Sequence, residues 1–206
     1  MNEPWPRLPA EEWADTLETM HLFTQVVGKI RLGYGPWLNH AWGATLYVTP
    51  RGLTTGLVPH GRAANEVRFD LLDSRLLVET PDGARKSIDL RDTTVAGFYR
   101  AVLEAFAGVG LPVSINPLPS EIAGAIPFDE DTTHGSYVPE HARLMLRAWV
   151  DSQRVMQAFR ASYLGKSSPV HLYWGGFDLA TYRFSGRTAP PHPGGAPNFP
   201  LDVAQE

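Results

Sequence analysis

Residues 76–90 read LLVETPDGARKSIDL, two strand-like runs joined at Pro81-Asp82-Gly83. Proline presets φ for a turn and glycine accepts a positive φ, so the segment predicts a hairpin of strands 76–80 and 85–90. The same grammar repeats upstream. Residues 65–72 alternate through Val67, Phe69 and Leu71, and Asp73-Ser74 turns the chain. Residues 44–49 and 53–58 are β-rich and are separated by Pro50-Arg51-Gly52. Strands linked by such short turns pair antiparallel.

Helical spacing appears on either side. Trp13, Leu17, Met20, Val27 and Ile30 recur at helical intervals, with Phe23 and Val26 widening the face, and predict a helix over 10–32 that Gly33, Gly35 and Pro36 end. Val95, Phe98, Val102, Leu103 and Phe106 predict a second helix over 94–107, capped by Asp92, Thr93 or Thr94. Met145, Trp149, Met156, Phe159 and Tyr163 predict a third over 139–164. Residues 112–116 read as a short strand and 117–137 as irregular. Residues 170–174 and 177–184 read as a closing hairpin around Gly175-Gly176. The fold class that follows is α+β, a mainly antiparallel sheet of short hairpin-linked strands covered by about three helices. Residues 1–187 form one domain in this reading. Residues 188–206 form a Pro/Gly-rich tail that reads as loop or disorder rather than core.

The 206-residue chain has no cysteine, which excludes disulfides, thiolate metal sites and a cysteine nucleophile. No leader-like segment opens it and no apolar run is long enough to span a bilayer, so a cytoplasmic protein without membrane partners is expected. The sequence leaves the oligomeric state open. Phosphate-binding loops, dinucleotide fingerprints, His-Glu-x-x-His and the Gly-x-Ser-x-Gly elbow are all missing. The net charge of −4 is unevenly spread. Residues 21–65 and 140–187 each carry +4 and together hold His21, His40, His60, His141 and His171. Brought together they make a positive, imidazole-bearing surface suited to a small anion. Nothing clusters like a nucleic-acid-binding arm.

The closing hairpin carries the most specific candidate. A two-residue turn at Gly175-Gly176 sets Tyr173 opposite Asp178 and His171 opposite Ala180, so His171, Tyr173 and Asp178 share a face. His171 and Asp178 are then a diagonal acid/base pair, in which a carboxylate raises an imidazole pKa and selects its tautomer. The bland alternative is a pair that only stabilises the sheet. Arg183, Ser185 and Arg187, with Lys166 ahead of the hairpin, supply donors for a carboxylate or phosphate. Alternatively these are solvated strand-end charges. Asn39 and His40 lie in a loop before a strand, where ligand contacts concentrate. His134 follows the acids Asp129, Glu130 and Asp131, but not at calcium-loop spacing, and no metal or other cofactor is assigned. His21, Gln25 and Lys29 fall at i, i+4 and i+8 and read first as the wet stripe of an amphipathic helix.

Several stretches together resemble a bacterial family known only as domain of unknown function 5996. They are Trp13-x-Asp15-Thr16-Leu17-x-Thr19-x-His21, Thr24-Gln25-x-x-Gly28-Lys29-x-Arg31-Leu32, Asn39-His40-x-Trp42 and Leu46-Tyr47-Val48-Thr49-x-Arg51-Gly52-Leu53. Pro127-Phe128-x-x-Asp131-x-x-His134-x-Ser136-Tyr137, Gly165-Lys166-x-Ser168-Pro169-Val170-His171, Trp174-Gly175-x-Phe177-Asp178-Leu179-Ala180 and Arg183-Phe184-Ser185-Gly186-Arg187 complete the set. The resemblance implies no established activity or catalytic residues. It implies relatives that continue beyond this end, so that the chain is a shortened version. Two functional classes follow: a small-molecule site, enzymatic or not, for a polar or anionic ligand, and a non-catalytic interaction module.

Overall fold

The computed structural model describes residues 5–188, 190 and 195. The tail read from residue 188 onward lies almost wholly outside them. Helix α1 (Ala10–Tyr34) leads through a 3₁₀ turn (Asn39–Ala44) into strands β1 (Thr45–Thr49), β2 (Gly52–Thr54), β3 (Val58–His60), β4 (Ala63–Asp70), β5 (Arg75–Glu79) and β6 (Arg85–Asp89). Helices α2 (Val95–Gly108) and α3 (Pro139–Ala161) follow, then β7 (His171–Tyr173) and β8 (Asp178–Ala180). The sheet order is β6-β5-β4-β2-β1-β7-β8, with β3 beside β4, and every pairing is antiparallel. This is the expected α+β class.

Two expected strands come out differently. The run 53–58 is broken into β2 and β3 because Gly56 takes φ 64°. The Thr55 hydroxyl, which accepts from Val67 N at 3.0 Å, bridges the break to β4. Residues 112–116 form no ladder. Ser114 N donates to the Tyr34 hydroxyl at 2.8 Å, so a side chain takes the place of a partner strand.

On β4, Asn65, Val67 and Phe69 are buried while the alternating Glu66 and Arg68 are half-buried, the period-2 signature of a sheet with one dry face. The other face is charged: Arg68 pairs with Glu79, and Arg51 with Asp70 at 2.5 Å. The dry face meets α1 and α2, whose Phe23 and Phe98 rings stack with centroids 4.0 Å apart. Helix α2 starts as expected, with the Thr94 hydroxyl accepting from Gly97 N at 3.2 Å.

Helix α1 corrects the sequence reading most. Its residues Leu22 to Gly28 are all buried, and so are Thr16, Thr19, Met20 and Ile30. The stripe of His21, Gln25 and Lys29 is therefore not a wet face. Gln25 is fully buried, His21 is half-buried, and burial lowers the Lys29 pKa. The helix is central, with α2 and the sheet on one side and the closing hairpin on another. Helix α3 buries Ala142, Met145, Leu146 and Trp149 but leaves Val150, Val155 and Phe159 exposed toward its C-terminus.

Candidate functional site

The closing hairpin has the register read from the sequence: His171 opposite Ala180, Leu172 opposite Leu179, Tyr173 opposite Asp178. Its loop is longer than two residues, however. It runs Trp174–Phe177, and the left-handed residue is Phe177 at φ 58° rather than either glycine. The glycines serve a neighbour instead. A Cβ on Gly175 would meet the carboxyl of Glu121, its Cδ at 2.9 Å. Burial first, and then Asp178, raises the Glu121 pKa.

Correct register did not make the expected acid/base pair. The His171 ring is wholly buried and its Nδ1 donates to Pro169 O at 2.7 Å. Among the described residues Nε2 has no hydrogen-bond partner, and Asp178 stands exposed across the ladder diagonal. Burial lowers the His171 pKa and outweighs the raising effects of the Pro169 carbonyl and Asp178, the reverse of the expected direction. Burial likewise lowers that of His21, against carbonyls of Gly175 and Trp174. Unfolded, both imidazoles take a proton near their ordinary value of 6.5. Folded, they resist it until lower pH. The unfolded state thus binds more protons in that window, and stability falls as pH drops below about 6.5. Urea unfolding at pH 7.5 and 5.5 checks this, and His171→Phe is expected to flatten the difference.

The ligand-contact candidates fare differently. His40, Lys166, Arg183, Ser185 and Arg187 all line one open cleft of about 640 Å³, together with Phe184. Asn39 is exposed at the start of the 3₁₀ turn and is not part of the lining. Nor is His134. The cleft is built from three pieces of chain. His40 and Ala41 both sit in the left-handed region, at φ 58° and 54°, which costs a non-glycine residue on the order of 1–3 kcal/mol and persists only where the surroundings enforce it. The Tyr173 hydroxyl does so by donating to His40 O at 2.9 Å. Lys166 is held by the chain crossing at Ser167 and Arg183, which form an isolated bridge, with Phe184 N donating to Lys166 O at 3.0 Å. The third piece is the strand-end segment 183–188.

Within the cleft, Lys166 Nζ lies 2.8 Å from His40 Nε2. An ammonium can only donate, so the imidazole accepts and is neutral, with its proton on Nδ1. Burial and then Lys166 lower the His40 pKa accordingly. The His40 ring packs on Phe184 and Trp42, centroids 4.5 and 5.2 Å away, and Lys166 Nζ stands 5.2 Å from the Phe184 ring centre. Arg183 plays a different part from the one expected. Its guanidinium lies 3.6 Å over the Phe159 ring and donates to Ser162 Oγ at 2.9 Å and to Phe159 O. Its charge is committed to the C-terminus of α3, where it fastens the cleft to that helix. Ser185 Oγ accepts from Arg187 N at 3.3 Å, closing the turn that presents the second arginine. Among the described residues no carboxylate lines the cleft.

A second cleft of about 300 Å³ was not anticipated as a unit. Asp131, His134, His21 and Glu18 line it together with Leu22 and Ile126. Its loop is seated on the N-terminus of α2: Val95 N donates to His134 O at 2.8 Å and Ala96 N to Asp131 O at 2.9 Å. His134 Nδ1 is 2.7 Å from Asp131 Oδ2. The Asp-x-x-His spacing is the sequence signal for that contact, and the two side chains meet because Asp131 Oδ1 turns the chain at Thr133 and His134. His40 and His134 thus line separate clefts. Among the described residues no group of three His, Asp or Glu side chains is placed to hold a metal ion.

Fold and clefts define the class: a hairpin-linked antiparallel sheet with helices over it, carrying one cationic, aromatic-walled cleft and one His/Asp cleft. The chain belongs to the family of unknown function DUF5996, whose model matches residues 5–206. No curated protein and no solved structure matches it. Among the described residues no helix is long and apolar enough to cross a membrane.

Proposed function

We propose that the protein binds a small organic anion, a carboxylate or phosphate carried on a flat apolar body, in the cleft of His40, Lys166 and Arg187. The observation that carries this reading is the Lys166–His40 contact at 2.8 Å in a lining without an acid. Among the described residues Lys166 and Arg187 make no ion pair, so the described lining carries positive charge without a counterion. An anion seated on Lys166 and Arg187, beside His40, supplies one, and the Phe184 ring gives an attached flat group a surface to stack on. The volume lies within the range of small-molecule pockets.

The anion also reverses the pressure on His40. Its pKa is low beside bare Lys166 and rises beside a bound negative charge, so binding takes up a proton. Affinity is therefore expected to increase as pH falls below about 6.5, the ordinary value from which His40 departs. The test is thermal unfolding with benzoate and with inorganic phosphate at pH 7.5 and 6.0. A ligand at about a hundred times its Kd adds about 2.7 kcal/mol of stability. Lys166→Glu is expected to abolish the shift while leaving the unliganded midpoint within about 2 °C, because the side chain is exposed. A shift that survives Lys166→Glu, or no shift with either anion, sinks the reading.

The interaction-module alternative rests on the exposed Val150, Val155 and Leu164 along and beyond α3. A sedimentation series that stays monomeric to high concentration removes self-association from it.

A further inference from the structure

The cleft of Asp131 and His134 is chemically unlike the cationic one. The Asp131 side chain is only 1% exposed. Its Oδ1 accepts the backbone N–H groups of Thr133 and His134, both at 3.0 Å, and its Oδ2 faces His134 Nδ1 at 2.7 Å. A carboxylate only accepts, so Nδ1 carries the hydrogen and the Nε2 lone pair is left outward. Nε2 makes no hydrogen bond among the described residues and lies 3.7 Å from Oε2 of Glu18, a side chain 63% exposed. The loop does not need the imidazole for its own anchorage. The carbonyls of residues 131 and 134 hold it to α2, and Asp131 Oδ1 closes its turn. An imidazole oriented by a buried carboxylate, with its second nitrogen open to a cleft walled by Leu22, Ile122 and Ile126, is the arrangement of a general base.

The geometry points to His134 as the general base of a second site, one that takes an uncharged molecule with an apolar body. Anions are disfavoured there by Glu18 and Asp131, which separates this site from the cationic cleft. Asp131 is its positioning residue. In the step, Nε2 takes a proton from a water or a substrate hydroxyl, and the imidazolium formed is stabilised by Asp131. With an activated ester as probe, the water oxygen bonds to the carbonyl carbon and the ester C–O bond breaks. The leaving group departs with the electron pair, and the imidazolium returns its proton to solvent.

The probe is 4-nitrophenyl acetate, followed by release of 4-nitrophenolate with the full chain. The intact protein is expected to exceed free imidazole at equal concentration, and His134→Gln to lose that excess. Asp131→Asn is expected to lower kcat about tenfold or more at unchanged KM, because the tautomer is no longer held. Ile126→Trp, which fills the apolar wall, is expected to raise KM instead. His60→Gln, at a histidine stacked on Tyr34 and lining neither cleft, is expected to change nothing. A His134→Gln protein that keeps the original rate overturns the proposal, and so does an intact protein no faster than free imidazole. Circular dichroism accompanies each variant. Should Asp131→Asn fail to fold, His134→Gln decides alone, since its ring carries none of the loop's backbone anchors.

Discussion

Gln25→Leu is expected to destabilise the protein by about 3 kcal/mol, although leucine matches the volume and the helix. Gln25 is fully buried, and its amide grips the backbone of Ser120 from both sides. Ser120 N donates to Oε1 at 2.7 Å, and Nε2 donates to Ser120 O at 2.9 Å. Leucine leaves that N–H and that carbonyl buried without partners, and each orphaned group costs about 1–3 kcal/mol. Gln25 ties the middle of the irregular stretch after α2 to α1, 95 positions away in sequence, while Tyr34 and Thr16 hold its two ends through Ser114 and Val138. Urea unfolding gives the loss directly. Hydrogen exchange adds a second readout, with protection expected to drop first at Ser120. An undiminished midpoint would mean the amide is replaced by water at no cost and would remove the residue from the list of anchors.

Gly28→Ala is the second large effect, and its sign opposes helix propensity. In an exposed helix the change gains about 1 kcal/mol. Here a Cβ would stand 2.5 Å from Cδ2 of Trp174 and closer still to two other ring atoms. Trp174 is 4% exposed and belongs to the core, so the indole has nowhere to retreat. Overpacking of this kind costs about 1–3 kcal/mol or more, and the net expectation is a loss of about 2 kcal/mol. The double-mutant cycle with Trp174→Ala makes it specific. In that background Gly28→Ala is expected to be neutral or mildly stabilising, giving a coupling energy of about 2 kcal/mol. A single variant that gains stability would show the close approach to be relaxed away.

These two positions also mark how far the linear pattern could be read. The turn chemistry of Pro81-Asp82-Gly83 and the alternation of β4 are local, so the hairpins, the antiparallel sheet and the three helices were legible in the residues themselves. The ladder of the closing hairpin was legible too, down to Tyr173 opposite Asp178. Burial was not. Helical periodicity finds one apolar face, and the polar stripe of α1 was assigned to water because Gln25 and His21 are polar. Their partners, Ser120 and Gly175, come from loops that periodicity does not describe.

The candidate site divides the same way. Residue type and segment charge picked out His40, Lys166, Ser185 and Arg187 as donors for an anion, because those properties belong to single residues and short runs. What each donor does depends on distances across the fold. Lys166 leans on His40, while Arg183 spends its charge on the end of α3. His171 faced the right neighbour and still gained no carboxylate, because the ring is buried and its Nδ1 bonds a backbone carbonyl two residues away. Asp131 and His134 paired instead, since their loop folds back over the start of α2. Sequence by itself therefore determined most of the elements, the pairing across the local hairpins and the sign of the charge available to a ligand, all of which are set by short-range sterics and composition, whereas β1 beside β7 and β2 beside β4 were settled by the fold. Only the tertiary structure decided which polar groups are buried, which imidazole meets a carboxylate and which neighbour each cation meets, because those are properties of the space between segments far apart in the chain.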